Sequence, residues 1–200
     1  MRDKRTGHRP SATMPTRTRA VLLATVLTSA CGVNNIPTYD EAVNTIWAEI
    51  QSQYLLRAEL TAELIKIVED IGHQDPELLR DLTEARIRVT TMTVTPDLLT
   101  DPETFEQFQQ NQSVLGASLE RLMSTAEAYP DLNADQDFQA LQNQLEGAEN
   151  RISVARGDYV ETVRRYNTEL RTIPGRWWHR LMYSGMRPKE NFSERIVDTP

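Results

Sequence analysis

Two hundred residues with 22 Lys and Arg against 29 Asp and Glu carry a formal net charge of −7, a length that suits one domain with a core of its own. The charge is unevenly placed: residues 1–30 hold six basic side chains (Arg2, Lys4, Arg5, Arg9, Arg17, Arg19) against Asp3 alone, leaving 16 basic and 28 acidic residues, a net charge of −12, beyond them. So acidic a remainder repels phosphate backbones, whose affinity for proteins comes largely from cations displacing condensed counterions, and nucleic acid is excluded as an expected partner.

The first element in chain order is a signal peptide over 1–30. Its basic stretch leads through Arg19 into an apolar run, Ala20-Val21-Leu22-Leu23-Ala24-Thr25-Val26-Leu27, and then into small residues and a cysteine. As a helix, Ala20 to Ala30 rises only about 16 Å, against roughly 30 Å for a hydrocarbon core, so a cleaved signal is expected in place of a permanent span. Leu27-Thr28-Ser29-Ala30-Cys31 resembles a lipobox, the site at which a bacterial cysteine is acylated and the signal removed before it. Ser29 and Ala30 fill the small positions, and Thr28 stands where leucine is usual. Cys31, the single cysteine of the chain, is therefore the expected lipidated first residue of the mature protein, carrying palmitate-like chains; the alternative is an incidental thiol. Diacyl-type anchoring holds a protein where one acyl chain would not. Gly32 follows where aspartate would retain a lipoprotein at the inner membrane. The expected location is thus the cell envelope, facing the periplasm or exterior, at the outer membrane in a diderm cell.

Residues 31–37 then form a lipidated tether, and 38–175 a helical bundle. The first helix is expected from about Tyr39 to Ile71, with Val43, Trp47, Ile50, Tyr54, Arg57, Thr61, Leu64, Val68 and Ile71 stepping four and three alternately along one side. Gly72-His73-Gln74 ends it, and Asp75 caps a second helix with Pro76 in its first turn, where a missing N–H costs nothing. That helix carries Leu78, Leu82, Ala85, Val89 and Met92. Residues Thr93 to Asp101 read as a loop with an aborted turn, and Asp101-Pro102 repeats the cap-then-proline start. Phe105, Phe108, Gln112, Leu115, Leu119, Leu122, Ala126 and Tyr129 follow in a third helix that Pro130 stops. Asn133 with Gln136 resembles a capping box. The last long helix presents Phe138, Leu141, Leu145, Ala148, Ile152, Ala155, Tyr159, Thr162, Tyr166, Glu169 and Ile173, and Pro174-Gly175 closes it. The expected fold is all-α: an elongated antiparallel bundle of about four long helices with heptad-like, coiled-coil packing.

Several segments together match one known pattern. Glu127-Ala128-Tyr129-Pro130-Asp131-Leu132-Asn133-Ala134 with Phe138, and Glu149-Asn150-Arg151-Ile152-Ser153-Val154-Ala155-Arg156 with Tyr159 and Tyr166-Asn167, resemble the turn and the last-helix signature of the LemA family. Arg57-Ala58-Glu59-Leu60 and Glu84-Ala85-Arg86 fall where that family's shorter motifs lie, and order and spacing agree from about Asn34 to Pro174. The chain departs from the family at Leu56 (usually arginine), at Ala62 (often proline) and at Gly157-Asp158-Tyr159-Val160 (an Arg-Tyr-Asn run). The resemblance implies an envelope protein attached to a membrane at its N-terminus, and little chemistry.

Candidate site residues are charged side chains at seam positions. Glu149 and Arg156, two helical turns apart, share a side; with Arg57, Glu84, Arg86 and Arg151 they are expected to form an interhelical polar layer, or alternatively to line a binding recess. His73 and His179 lack the paired spacing of metal ligands, so no metal or other cofactor is expected. Neither a Gly-rich phosphate loop nor a Gly-x-Ser-x-Gly elbow occurs, so no enzyme is expected. Over 176–200 a basic and aromatic C-terminal tail, with Trp177, Trp178 and Arg180, either caps the open end of the bundle or lies at a membrane interface; from Arg187 onward it reads as loosely held. The expected role is an interaction or scaffold protein with unidentified envelope proteins as partners, Gln107, Gln109, Gln110 and Asn111 marking a contact face. The alternative is a module that binds a lipid or small ligand.

Overall fold

The computed structural model describes residues 34–71 and 76–192; Cys31, the lipobox, the Gly72–Gln74 turn and the Asp75 cap lie outside them. Among the described residues the structure is all helical: α1 (Asn35–Ile71), α2 (Pro76–Thr91), a 3₁₀ turn (Pro96–Thr100), α3 (Pro102–Ala126), the single turn α4 (Pro130–Ala134), α5 (Gln136–Arg171) and α6 (Gly175–Met182).

The starts of these helices follow from their capping chemistry. Helix α1 begins earlier than its apolar row suggests and takes in part of the supposed tether. Ile36 is fully buried, and Pro37 sits in the first turn, where its missing N–H has no intrahelical partner to lose. Asp101 caps α3 as expected, accepting from the Glu103 amide ahead of Pro102. The start of α5 differs: Asp135 is its N-cap, accepting from the Phe138 amide at 2.8 Å. Asn133 turns back and donates to the Ala126 and Glu127 carbonyls, where it satisfies the orphan end of α3. Pro130 begins α4 instead of ending α3.

The expected buried rows hold in α1 as far as Val68 and in α3 as far as Ala126, while Ile71 and Tyr129 at their ends are half-buried. In α5 the row shifts by one residue after Tyr159, to Val163, Tyr166 and Leu170, while Thr162 and Glu169 are half-buried and Ile173 is exposed. A straight helix of 3.6 residues per turn drifts about 20° per heptad, enough over 36 residues to move the seam to its neighbouring row.

Helices α1 and α5 run antiparallel along the longest seam of the molecule. Asn35, at the start of one, donates to Glu169, near the end of the other, at 3.4 Å. Helix α2 packs on α3 and on α1. The interior divides into two apolar cores. One gathers Leu60 to Val68 of α1, Leu78 to Ala85 of α2, Leu115 to Ala126 of α3 and Phe138 to Ala148 of α5. The other gathers Ile36 to Tyr54, Leu98 and Leu99, Phe105 and Phe108, Ile152 to Leu170, and Phe192. Its centre is aromatic, with Trp47 against Phe105, Phe108 and Tyr159 at ring-centroid separations of 5.2–6.0 Å.

As far as Phe192 the chain beyond α6 is not a loose end, and residues 193–200 lie outside the described residues. Residues 186–192 run back along α5 as an extended strap. Tyr166 donates to the Arg187 carbonyl, Tyr159 to the Glu190 carbonyl, and Asn167 exchanges two hydrogen bonds with Lys189. Lys189 is buried and pairs with Asp40 at 2.9 Å, and Phe192 is buried in the aromatic core.

Candidate functional site

Between the two cores lies a polar waist. Arg57 follows Tyr54 by one turn in α1, Gln112 follows Phe108 in α3, and Glu149 precedes Ile152 in α5, so all three reach the same level. The Arg57 guanidinium donates from Nη1 to Glu149 Oε1 at 2.8 Å and from Nη2 to the carbonyl and side-chain oxygens of Gln112 at 3.0 and 2.7 Å. Thr61 returns its hydroxyl to the Arg57 carbonyl at 2.7 Å. The two ends of the pair differ: the Arg57 side chain is 5% exposed, the Glu149 side chain 43%. Water reaches the carboxylate from one side.

That side is a cleft. At the waist α3 and α5 diverge and leave a cavity of about 600 Å³ between Gln109–Met123 on one wall and Gln142–Arg156 on the other, with Tyr54 and Arg57 of α1 as its floor. Leu119, Met123, Leu145 and Ile152 give it apolar walls; Glu120 of α3 and Glu146 and Glu149 of α5 place carboxylates on both walls. Gly116 faces it, and a Cβ there would meet Arg57 Nη1 at 3.6 Å, an ordinary contact. Space and not backbone strain distinguishes the position.

Arg156 closes one end of the cavity. Its guanidinium stacks on the Phe192 ring at 4.5 Å and lies beside Tyr54, whose hydroxyl is held above the ordinary tyrosine range by burial, against the opposing pull of Arg156 and Arg57. Arg156 makes no ion pair among the described residues, and its Nε and Nη2 are buried without a hydrogen-bond partner.

The expected polar layer therefore divides. Arg57 and Glu149 meet directly, and Arg156 lies two turns further along α5. Arg86 only borders the waist, its Nε donating to the Ala58 carbonyl at 2.9 Å. Arg151 points outward to Gln53 at 2.8 Å. Glu84 is on the surface between Arg80 and Arg88. Gln112 was absent from the expected set; its place in an otherwise apolar row was the available signal. Of the expected glutamine face, Gln107 and Gln110 are exposed, Gln109 is buried and Asn111 is turned toward Met92.

The tail divides as well. Trp178 and Tyr183 pack against the aromatic core, and His179 Nε2 lies 2.9 Å from the Met186 carbonyl. Trp177, Leu181 and Met182 are instead 60%, 76% and 57% exposed, with Arg176 and Arg180 exposed beside them. A cap explains the first group and not the second.

Residues 46–197 match the model of the family described as LemA. The chain is also similar to magnetosome proteins MamQ 1 and MamQ 2 of Paramagnetospirillum magneticum (strain ATCC 700264 / AMB-1), each 31% identical over 86 residues, which are 42% of this chain and 31% of each relative. The match thus spans under a third of the length of these curated relatives.

Proposed function

This chain belongs to the LemA family, and on that premise we propose that it is a non-catalytic envelope protein held against a membrane by a lipidated Cys31 and by α6, with its helices offered to protein partners. The observation that carries the reading is the placement of α6. Helix α1 starts four residues after Cys31, and its Asn35 touches Glu169 of α5. Helix α6 begins six residues beyond that glutamate and contacts α1 as well. The start of α1 and the exposed Trp177, Leu181 and Met182 therefore share one end of the molecule.

At that end Arg171, Arg176 and Arg180 are exposed, in a chain that is otherwise strongly acidic. Tryptophan and apolar side chains enter the headgroup region, and each arginine close to an anionic surface adds roughly 1 kcal/mol. An acyl anchor with a basic, aromatic face is a two-signal attachment, which holds where one signal alone exchanges. Among the described residues no helix is long and apolar enough to cross a membrane. The proposed contact is accordingly at the surface, with the remaining helix faces, including Gln107 and Gln110 of α3, turned toward envelope partners.

Two measurements test this. Metabolic labelling with a fatty acid is expected to mark the wild type and miss Cys31→Ser; equal labelling of both overturns the tether. A chain starting at Gly32, which keeps every described residue, is expected to float with vesicles rich in phosphatidylglycerol at low salt. It should be released by high salt and by Trp177→Ser with Leu181→Ser. A chain that stays with the soluble fraction at low salt overturns the role of α6. The open cleft favours a second role, the binding of a small ligand.

A further inference from the structure

We infer that the cleft between α3 and α5 is a binding site for an amphipathic carboxylate, with its head on Arg156 and its apolar chain along Leu119, Met123, Leu145 and Ile152. The inference does not depend on how the protein meets a membrane.

The two arginines of the cleft set the argument. Arg57 is engaged at both Nη atoms, held by Glu149 and by two oxygens of Gln112, and only its Nε is buried without a partner. Arg156 has the same cationic group, no ion pair among the described residues, and two buried N–H groups without an acceptor. Nε and Nη2 form one edge of the planar guanidinium, two parallel donors whose spacing matches the two oxygens of a carboxylate. Buried donors left unpaired are costly, so an acceptor brought to this edge gains more than the same acceptor at a solvated arginine.

The remainder of the cavity selects the rest of the ligand. About 600 Å³ falls within the range of roughly 300–1,000 Å³ in which small-molecule sites occur, mostly apolar with few convergent polar groups. Here the apolar walls run away from Arg156 toward Leu145 and Met123. The lining carboxylates of Glu120 and Glu146, one on each wall, repel a second negative charge, which disfavours a phosphate dianion against a carboxylate. The Phe192 ring covers the guanidinium at 4.5 Å as the last described residue of the strap. That contact is to the face of the guanidinium and does not occupy its in-plane Nε and Nη2 donors, so a carboxylate at the edge adds two charge-assisted hydrogen bonds to it.

The test is calorimetric titration of the full chain with decanoate, decanol, decyl phosphate and acetate. Decanoate is expected to bind with one site per chain, more tightly than decanol and decyl phosphate, with acetate showing no saturable binding. Arg156→Met should weaken decanoate about ten- to hundredfold, the loss of a charge-assisted hydrogen-bond pair, and leave decanol unchanged. Because Arg156 makes no ion pair among the described residues and loses only its contacts with Phe192 and Tyr54, this variant should melt close to wild type without ligand. Gly116→Leu, which fills the cleft, should abolish both decanoate and decanol. Equal binding of decanoate and decanol, decanoate binding insensitive to Arg156→Met, tighter binding of decyl phosphate, or no binding at all would each overturn the assignment. Should Arg156→Met fail to fold, Arg156→Lys gives the decision. It keeps the charge and loses the planar edge, so it must still weaken decanoate more than decanol.

Discussion

At the scale of single residues, the Arg57–Glu149 pair is decided by its asymmetry. The Glu149 carboxylate is half-exposed, so water screens its attraction to Arg57, whereas the buried guanidinium is held by three oxygens from two helices. Glu149→Gln retains an oxygen for Nη1, and Gln112 still holds Nη2. The expected loss is therefore about 1 kcal/mol, the difference between a charge-assisted hydrogen bond and a neutral one. Arg57→Ala removes the side chain that joins α1, α3 and α5 at the waist, leaves the buried Gln112 side-chain oxygen unpaired and opens a void beneath the cleft, with an expected loss of about 3–5 kcal/mol. Urea unfolding of both variants checks the order; a larger loss in Glu149→Gln would mean that the carboxylate, and not the guanidinium, organises the layer. The presence of a polar layer was readable because Arg57, Thr61 and Gln112 interrupt apolar rows. Its membership was not, since Glu84, Arg86 and Arg151 differ from seam residues by one step of rotation around their helices, which motif spacing does not report.

At the scale of elements, the strap is tied to α5 by two tyrosines, and their ionisation gives it a pH dependence. Tyr166 is pushed up to about 12, chiefly by burial and further by the nearby Asp40; Tyr159 is raised too, by burial and by Glu190. A raised folded-state value favours the protonated form, so the associated stability is complete below the ordinary tyrosine value near 10. It falls as pH rises from there through about 12. Once ionised, each phenolate would face the carbonyl, of Arg187 or of Glu190, to which its hydroxyl now donates. Tyrosinate absorbance should therefore show a late fraction that Tyr166→Phe reduces. Limited proteolysis should begin to cut between 183 and 192 over the same pH interval in the wild type. Cleavage there at neutral pH at the rate of an exposed peptide would show that the strap is not held. Nothing in the sequence announced this element. It has no period, its anchors come from side chains of a distant helix, and Pro188 with a run of mixed polarity reads as tail. Helices, by contrast, were legible wherever a regular apolar row met a cap such as Asp101. The late shift in α5 was not, because a strict seven-residue row takes no account of accumulated drift.

At the scale of the whole molecule, the all-helical class and the pairing of α1 with α5 follow from long amphipathic rows that need partners along their length. The cleft was not legible, because it depends on where two helices diverge in space, and each wall alone resembles an ordinary seam. The polar waist described above has a further consequence, for cooperativity. Apolar contacts transmit stability from one layer to the next, and here they are interrupted across the molecule at Arg57, Gln112 and Glu149. Leu82→Ala, a deletion in a fully buried site expected to remove about 2–5 kcal/mol, should therefore speed amide hydrogen exchange in 60–68, 78–89, 115–126 and 138–148. Amides of 43–54 and 152–166 should exchange as in the wild type. Uniform acceleration would show one indivisible core. With two units of separate stability, the half that carries α2 and α4 can unfold and refold on its own, while the aromatic half keeps its fold around Trp47, Tyr159 and the strap.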